Sequence, residues 1–128
     1  MFKITPVNEK AKQKELCLLV GAEFRDDAFC YQMYDIDSGE IMGISQFEIG
    51  SDGYIYDIKE APHHDDFEAM FILARQTMNF IDSCGAHICY ADQNCGDKRL
   101  IIAVGFKEIG GKYFCNLSGM FDGHCECK

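Results

Sequence analysis

The stretch YIYDIKEAPHHDDFEAMFILARQTMNFIDSCGAHICYA, residues 54–91, changes its hydrophobic period twice, and those changes decide the fold. Residues 54–60 alternate: Tyr54, Tyr56 and Ile58 point one way, and Ile55, Asp57 and Lys59 the other, as in a half-buried strand. From Asp65 to Ser83 the period is helical. Phe67, Met70, Phe71, Ala74, Met78 and Ile81 recur at three-and-four spacing, and Leu73, Phe80 and Cys84 widen the stripe. Asp65 with Glu68 three residues on resembles a capping box, and Gly85 stands where a left-handed residue ends a helix. His87 to Ala91 then reads as a short buried strand. Strand, helix and strand in this order predict a parallel pair joined by a right-handed crossover.

Outward from this unit the pattern is one of short strands. Upstream, Ala28 to Ile36 and Ile41 to Ile49 alternate and are joined by Asp37-Ser38-Gly39-Glu40, a hairpin loop. With residues 54–60, reached through Gly50-Ser51-Asp52-Gly53, they predict an antiparallel meander. Before them, Phe2 to Val7 reads as a strand. A helix follows to Val20, with Asn8 as N-cap, Glu9 in its first turn and Gly21 as its stop. It is expected to bury Ala11, Leu16, Cys17, Leu19 and Val20. Downstream, Asp97 to Val104 reads as a short helix ended by Gly105. Phe106 to Ile109, Gly110-Gly111 and Tyr113 to Leu117 would close the sheet. The reading is one α/β (α+β) domain over residues 1–117, with a polar tail over 118–128.

Composition agrees. The chain has 128 residues, 48% apolar and 26% charged, enough for one core and unlike a disordered segment. Twelve Lys plus Arg against 21 Asp plus Glu give a net charge of −9, which argues against nucleic acid as a partner. No apolar run approaches the ~20 residues of a membrane span, and MFKITPVNEKAK lacks a signal-peptide stretch. A cytoplasmic protein is expected. Of the eight cysteines, Cys17, Cys30, Cys89 and Cys115 fall in apolar runs and are expected to be small buried hydrophobes.

The second half carries a resemblance. Asn94 to Phe106, NCGDKRLIIAVGF, resembles the segment of the GNAT superfamily of acyl-CoA-dependent N-acyltransferases in which Asn, Leu, Gly and Phe span a helix and enter the next strand. Asn94, Leu100, Gly105 and Phe106 fit that spacing. Ile58-Lys59-Glu60-Ala61-Pro62 resembles the end of the family's central strand, just before its cofactor loop. The resemblance implies a mixed, mostly antiparallel twisted sheet, two flanking helices per side, and a central strand pair whose carboxyl ends diverge into a cleft.

It also implies a loop of Arg/Gln-x-x-Gly-x-Gly/Ala type, whose amides at a helix N-terminus hold the pyrophosphate of coenzyme A. Here His63 and His64 lead into Asp65 at the basic position, and Asp66, Glu68 and Met70 stand where small residues belong. A carboxylate ~6 Å from a phosphate costs about 1–3 kcal/mol. As caps and dipole partners the same carboxylates stabilise their own helix by about 0.3–1 kcal/mol each. The family's thiolate-protonating Tyr has no counterpart, because Ile101 stands four residues before Gly105. A family base would be a central-strand carboxylate, for which Glu48, Asp57 and Glu60 are available, each reading first as a solvent-facing strand residue. His64, beside the loop, is a further candidate base or ligand, and otherwise one of a surface pair with His63.

The tail holds Gly123-His124-Cys125-Glu126-Cys127. Its spacing is not that of a structural zinc site, and no metal is expected; His124, Cys125 and Cys127, with Cys115 as a fourth ligand, are the candidate set, while Cys84, His87 and Cys95 lie near other helix ends on unassigned faces. Incidental or redox-sensitive thiols are the other readings. Three functional classes stand. The favoured one is a non-catalytic GNAT-like module binding a small molecule or a protein, with no cofactor. The second is an atypical N-acetyltransferase acting on a small amine or protein amine, the only reading in which acetyl-CoA binds. The third is a metal- or redox-responsive thiol protein.

Overall fold

The change of period after Glu60 becomes a strand–helix–strand unit at the centre of a seven-stranded sheet. The computed structural model describes residues 1–121. Along them run β1 (Phe2–Pro6), α1 (Lys10–Val20), β2 (Phe29–Asp35), β3 (Ile41–Ile49), β4 (Gly53–Glu60), α2 (Phe67–Ser83), β5 (Ile88–Ala91), α3 (Lys98–Val104), β6 (Lys107–Ile109) and β7 (Lys112–Asn116). The sheet order is β1-β2-β3-β4-β5-β7-β6. Every neighbouring pair is antiparallel except β4 and β5, which are parallel as a strand–helix–strand connection requires.

Helix α2 supplies the main core. Leu73, Ala74, Met78 and Ile81 are fully buried against Phe47, Ile55 and Cys89 of the sheet and Leu100, Ile101 and Val104 of α3. One polar bridge crosses this layer: Ser45 and Thr77 share a hydrogen bond of 2.8 Å, while Thr77 Oγ1 donates to Leu73 O. The Arg75 guanidinium donates through Nε to Val104 O at 2.9 Å and ties α3 to α2. A second, smaller cluster lies on the other face, where Leu16 and Cys17 of α1 cover Cys30 and Ile44. The described helices therefore stand one on one face and two on the other, rather than two per side, because the segment 22–28 after α1 is not helical.

Several local expectations are corrected. The N-cap of α1 is Glu9, without a side-chain cap, rather than Asn8. The helix rotates to bury Gln13 with Leu16 and Cys17, which leaves Ala11 and Leu19 exposed. Gln13 is drawn in because Gln46 of β3 offers it a hydrogen bond. The cap of α2 is Asp66, whose carboxylate accepts from Ala69 N at 3.0 Å, in place of an Asp65–Glu68 box. Cys84 is exposed rather than part of the stripe. Strict alternation fails in β4: Gln46 pairs with Asp57 and Phe47 with Ile55, leaving Tyr56 as an extra residue. This β-bulge puts Ile55 and Ile58 together in the α2 core and turns Asp57 the other way.

Candidate functional site

Strands β4 and β5 pair only from Gly53–Cys89 to Ile55–Ala91. Beyond that the chain leaves β5, turns through a Cys95 N to Asp92 O bond of 3.0 Å, and comes back against β4. Ile58 N donates to Cys95 O at 2.6 Å, and Lys59 Nζ donates to Asn94 O at 2.8 Å. Gly96 permits the close approach, because a Cβ there would lie 2.6 Å from Ile58 O. Asn94, singled out in the sequence, thus enters this contact through its backbone carbonyl. A cavity of about 170 Å³ remains at the end of β4, walled by Glu60, Asp65, Phe67, Met70, Asp97 and Arg99.

Carboxylates engage both helix ends that face this cavity. Asp66 N donates to Glu60 Oε2 at 2.6 Å, and Ala69 N to Asp66 Oδ1. At α3, Arg99 N donates to Asp97 Oδ1 at 3.0 Å. Each carboxylate sits where the helix dipole favours negative charge. The Arg99 guanidinium lies 4.3 Å over the ring of Phe67. Of the loop residues, Glu60, Asp65 and Met70 wall the cavity while Glu68 faces solvent. His63 has a φ of 69°, left-handed for a side-chain-bearing residue. His64 Nε2 lies 3.4 Å from Glu40 Oε1 of the β2–β3 hairpin.

The other base candidates lie across the sheet, so the structure divides the residues singled out in the sequence into two groups. Asp57, 6% exposed, is buried rather than solvent-facing, because the bulge at Tyr56 aims it at α1. Gln46 Nε2 donates to Asp57 Oδ2 at 2.7 Å and to Glu23 O at 2.8 Å. Gln46 Oε1 accepts from Gln13 Nε2 at 2.9 Å and from Arg25 N at 3.2 Å. Arg25 Nε, buried without a hydrogen bond, lies 3.9 Å from Asp57 Oδ2, and the guanidinium covers the Tyr56 ring at 4.2 Å. Burial pushes the Asp57 carboxyl above its ordinary value, against the pull of the Gln46 hydrogen bond and the Arg25 charge. Glu48 accepts from Tyr56 Oη at 2.9 Å; burial and that bond hold the phenol above its usual range.

Gln13, Gln46 and Arg25 are the residues that sequence reasoning missed. The available signal was Gln46 itself, a long polar side chain between Ile44 and Phe47 in an apolar strand. Cys17, Cys30, Cys89, Cys95 and Cys115 are buried free thiols. Burial raises all of them, Cys17 to about 11 and Cys30 to about 12, which disfavours thiolate chemistry. Among the described residues no three His, Cys, Asp or Glu side chains converge as a metal site. His124, Cys125 and Cys127 lie outside the described residues, so Cys115 is the one member of that candidate set the structure places. No described helix is long and apolar enough to cross a membrane.

No protein-family model matches the chain, and no curated protein matches it in sequence. Solved structures do match in fold. An N-acetyltransferase from Staphylococcus aureus Mu50 superposes with a TM-score of 0.68 at 16% identity, covering 93% of this chain and 99% of that one. A GNAT family acetyltransferase from Brucella melitensis, in complex with acetyl-CoA, gives 0.69 at 11% identity, with 91% and 88% covered. The ribosomal-protein-S18-alanine N-acetyltransferase from Escherichia coli gives 0.66 at 10% identity, with 89% of each chain covered. At these identities the likeness is one of fold, and the fold is that of the GNAT acetyltransferases.

Proposed function

From that fold we propose that the chain descends from an N-acyltransferase and works as a non-catalytic module for a small ligand or a protein, its acyl-CoA site taken up by its own groups. The observation that carries this reading is the pair of short hydrogen bonds at the cleft, Asp66 N to Glu60 and Ile58 N to Cys95 O, each 2.6 Å. A pyrophosphate seat needs free amides at a helix N-terminus and small residues around them. Here an amide before α2 is engaged by Glu60, Asp66 caps the helix, and Asp65 and Met70 wall the cavity. The residues do not fit acyl-CoA.

We place the protein in the cytoplasm; the six described cysteines, all free and including the directly opposed pair Cys89 and Cys115, support that reading. One observation favours the second reading, an atypical N-acetyltransferase for a small amine or protein amine: Asp57 is a buried carboxyl with a raised pKa on the central strand. Titration calorimetry with acetyl-CoA at low salt separates the two, since repulsion is strongest there. No heat of binding is expected. A dissociation constant in the micromolar range would overturn the module reading and return the enzyme reading to first place.

A further inference from the structure

The cavity at the end of β4 is walled by five charged side chains, and three of them are engaged by the protein itself. Lys59 Nζ donates to Asn94 O, Glu60 Oε2 accepts from Asp66 N, and Asp97 Oδ1 accepts from Arg99 N. The other two, Asp65 and the Arg99 guanidinium, have neither an ion pair nor a side-chain hydrogen bond among the described residues. They are opposite in sign and wall the same space, yet they do not pair with each other. The Arg99 guanidinium lies instead on the Phe67 ring, 4.3 Å from its centroid.

Beneath these charges the floor is apolar. Ile58, Met70 and Leu100 are buried, Phe67 is half-buried, and all four line the cavity. A space of about 170 Å³ is little more than the ~150 Å³ that holds one benzene molecule, so its occupant is a compact molecule rather than an extended one.

Charge decides the chemistry of that occupant. A simple anion would gain Arg99 but meet Glu60, Asp65 and Asp97. A simple cation would gain those carboxylates but meet Arg99 and Lys59. A molecule carrying both charges engages both free groups and brings no unmatched charge into the cavity. On the module reading, from which this inference starts, we propose that the cavity seats a compact zwitterion, an α-amino acid with a small apolar side chain. Its carboxylate lies on the Arg99 guanidinium, its ammonium on Asp65, and its side chain on Ile58, Met70 and Leu100. A guanidinium stacked on a ring keeps its N–H edge free, so Arg99 can take a carboxylate through two parallel bonds without leaving Phe67.

Titration of the nitrogen-15-labelled full chain with L-valine, followed by amide chemical shifts, tests this. Saturable shifts are expected at residues 58–60, 65–70 and 96–100, with a dissociation constant below about 1 mM. Isobutylamine, which lacks the carboxylate, and isovalerate, which lacks the ammonium, bind about tenfold more weakly or worse, as expected for the loss of a charge-assisted hydrogen bond. Arg99→Gln weakens valine about tenfold without weakening isobutylamine, and Asp65→Asn weakens valine about tenfold without weakening isovalerate. Both residues are exposed, and unshifted amides elsewhere verify the fold of each variant. No saturable shift at about 20 mM valine overturns the proposal, as do one-charge analogues that bind as tightly as valine. Acetyl-CoA in the same assay keeps the two readings apart. Shifts at these amides on its addition would overturn the module reading and this inference with it, whereas silence toward valine and acetyl-CoA alike overturns the zwitterion alone.

Discussion

The two faces of the sheet are built by different rules. On the α2 face, Leu73, Ala74, Met78 and Ile81 close on Phe47, Ile55 and Cys89 as a continuous apolar layer with one hydrogen-bonded bridge through Thr77. On the α1 face, apolar contact is confined to Leu16, Cys17, Cys30 and Ile44. Beside that cluster stand the polar side chains of Gln13, Gln46, Asp57 and Arg25, whose guanidinium covers the Tyr56 ring. Apolar burial is non-directional and tolerates approximate geometry, whereas a buried polar network depends on directed partners, and here Arg25 Nε is left without one. The first face holds the fold; the second fixes how α1 and the segment after it sit on the sheet.

The sharpest way to break the contrast is to excavate both faces. Leu73→Ala opens a cavity in the centre of the α2 layer and is expected to cost about 3–5 kcal/mol, while Leu16→Ala, at the margin of a small cluster, costs about 2–3 kcal/mol. Urea unfolding of the two variants measures both. Equal losses would mean that the two clusters carry similar weight, and the contrast would fall.

That asymmetry also explains what the sequence made legible. Helix α2 and the strands around it were readable because one apolar stripe, a Gly at the C-terminal end and two short apolar runs all agree locally. Asp66 displaced the expected Asp65 cap by one residue, which is the usual uncertainty of a helix end. The α1 face was not readable, because periodicity counts a polar residue as outward. Gln13 and Gln46 are buried because each finds partners far away in the chain, the other glutamine 33 residues off and backbone groups of the segment after α1. The bulge at Tyr56 cancelled the alternation rule at the one carboxylate whose direction mattered. At the cleft, the acidic character of the α2 entrance was legible, but the return of residues 92–96 onto β4 was not, since it rests on backbone bonds that leave no side-chain signature.

The network itself is the next place to probe. Gln46→Ala removes the acceptor of Gln13 Nε2 and Arg25 N and the donor to Asp57 and Glu23 O in one step. Buried groups that lose a partner cost about 1–3 kcal/mol, more than the average worth of a hydrogen bond. A matched loss is expected in urea unfolding, with amide exchange accelerated along α1 and left unchanged along α2. Protection lost equally in both helices would show the two faces to be one cooperative unit and remove the distinction drawn above.

The smallest effect lies in the pH dependence of Asp57. Burial raises its folded-state pKa above the ordinary 3.8, so the folded protein holds this proton more tightly than the unfolded chain does. The resulting stabilisation is full below the unfolded value and is lost as pH rises from there through the folded value. Asp57→Asn keeps an oxygen for Gln46 Nε2 but carries no titratable proton. The stability of the native chain relative to this variant should therefore fall as pH rises across that window and level off above it. Taking the difference between the two proteins cancels the other carboxylates, so the slope reports Asp57 alone. Urea unfolding at successive pH values gives the curve. A difference that rises with pH would mean that Gln46 and the Arg25 charge outweigh burial, and Asp57 would then be an ionised anchor for Arg25 rather than a carboxyl held toward its neutral form.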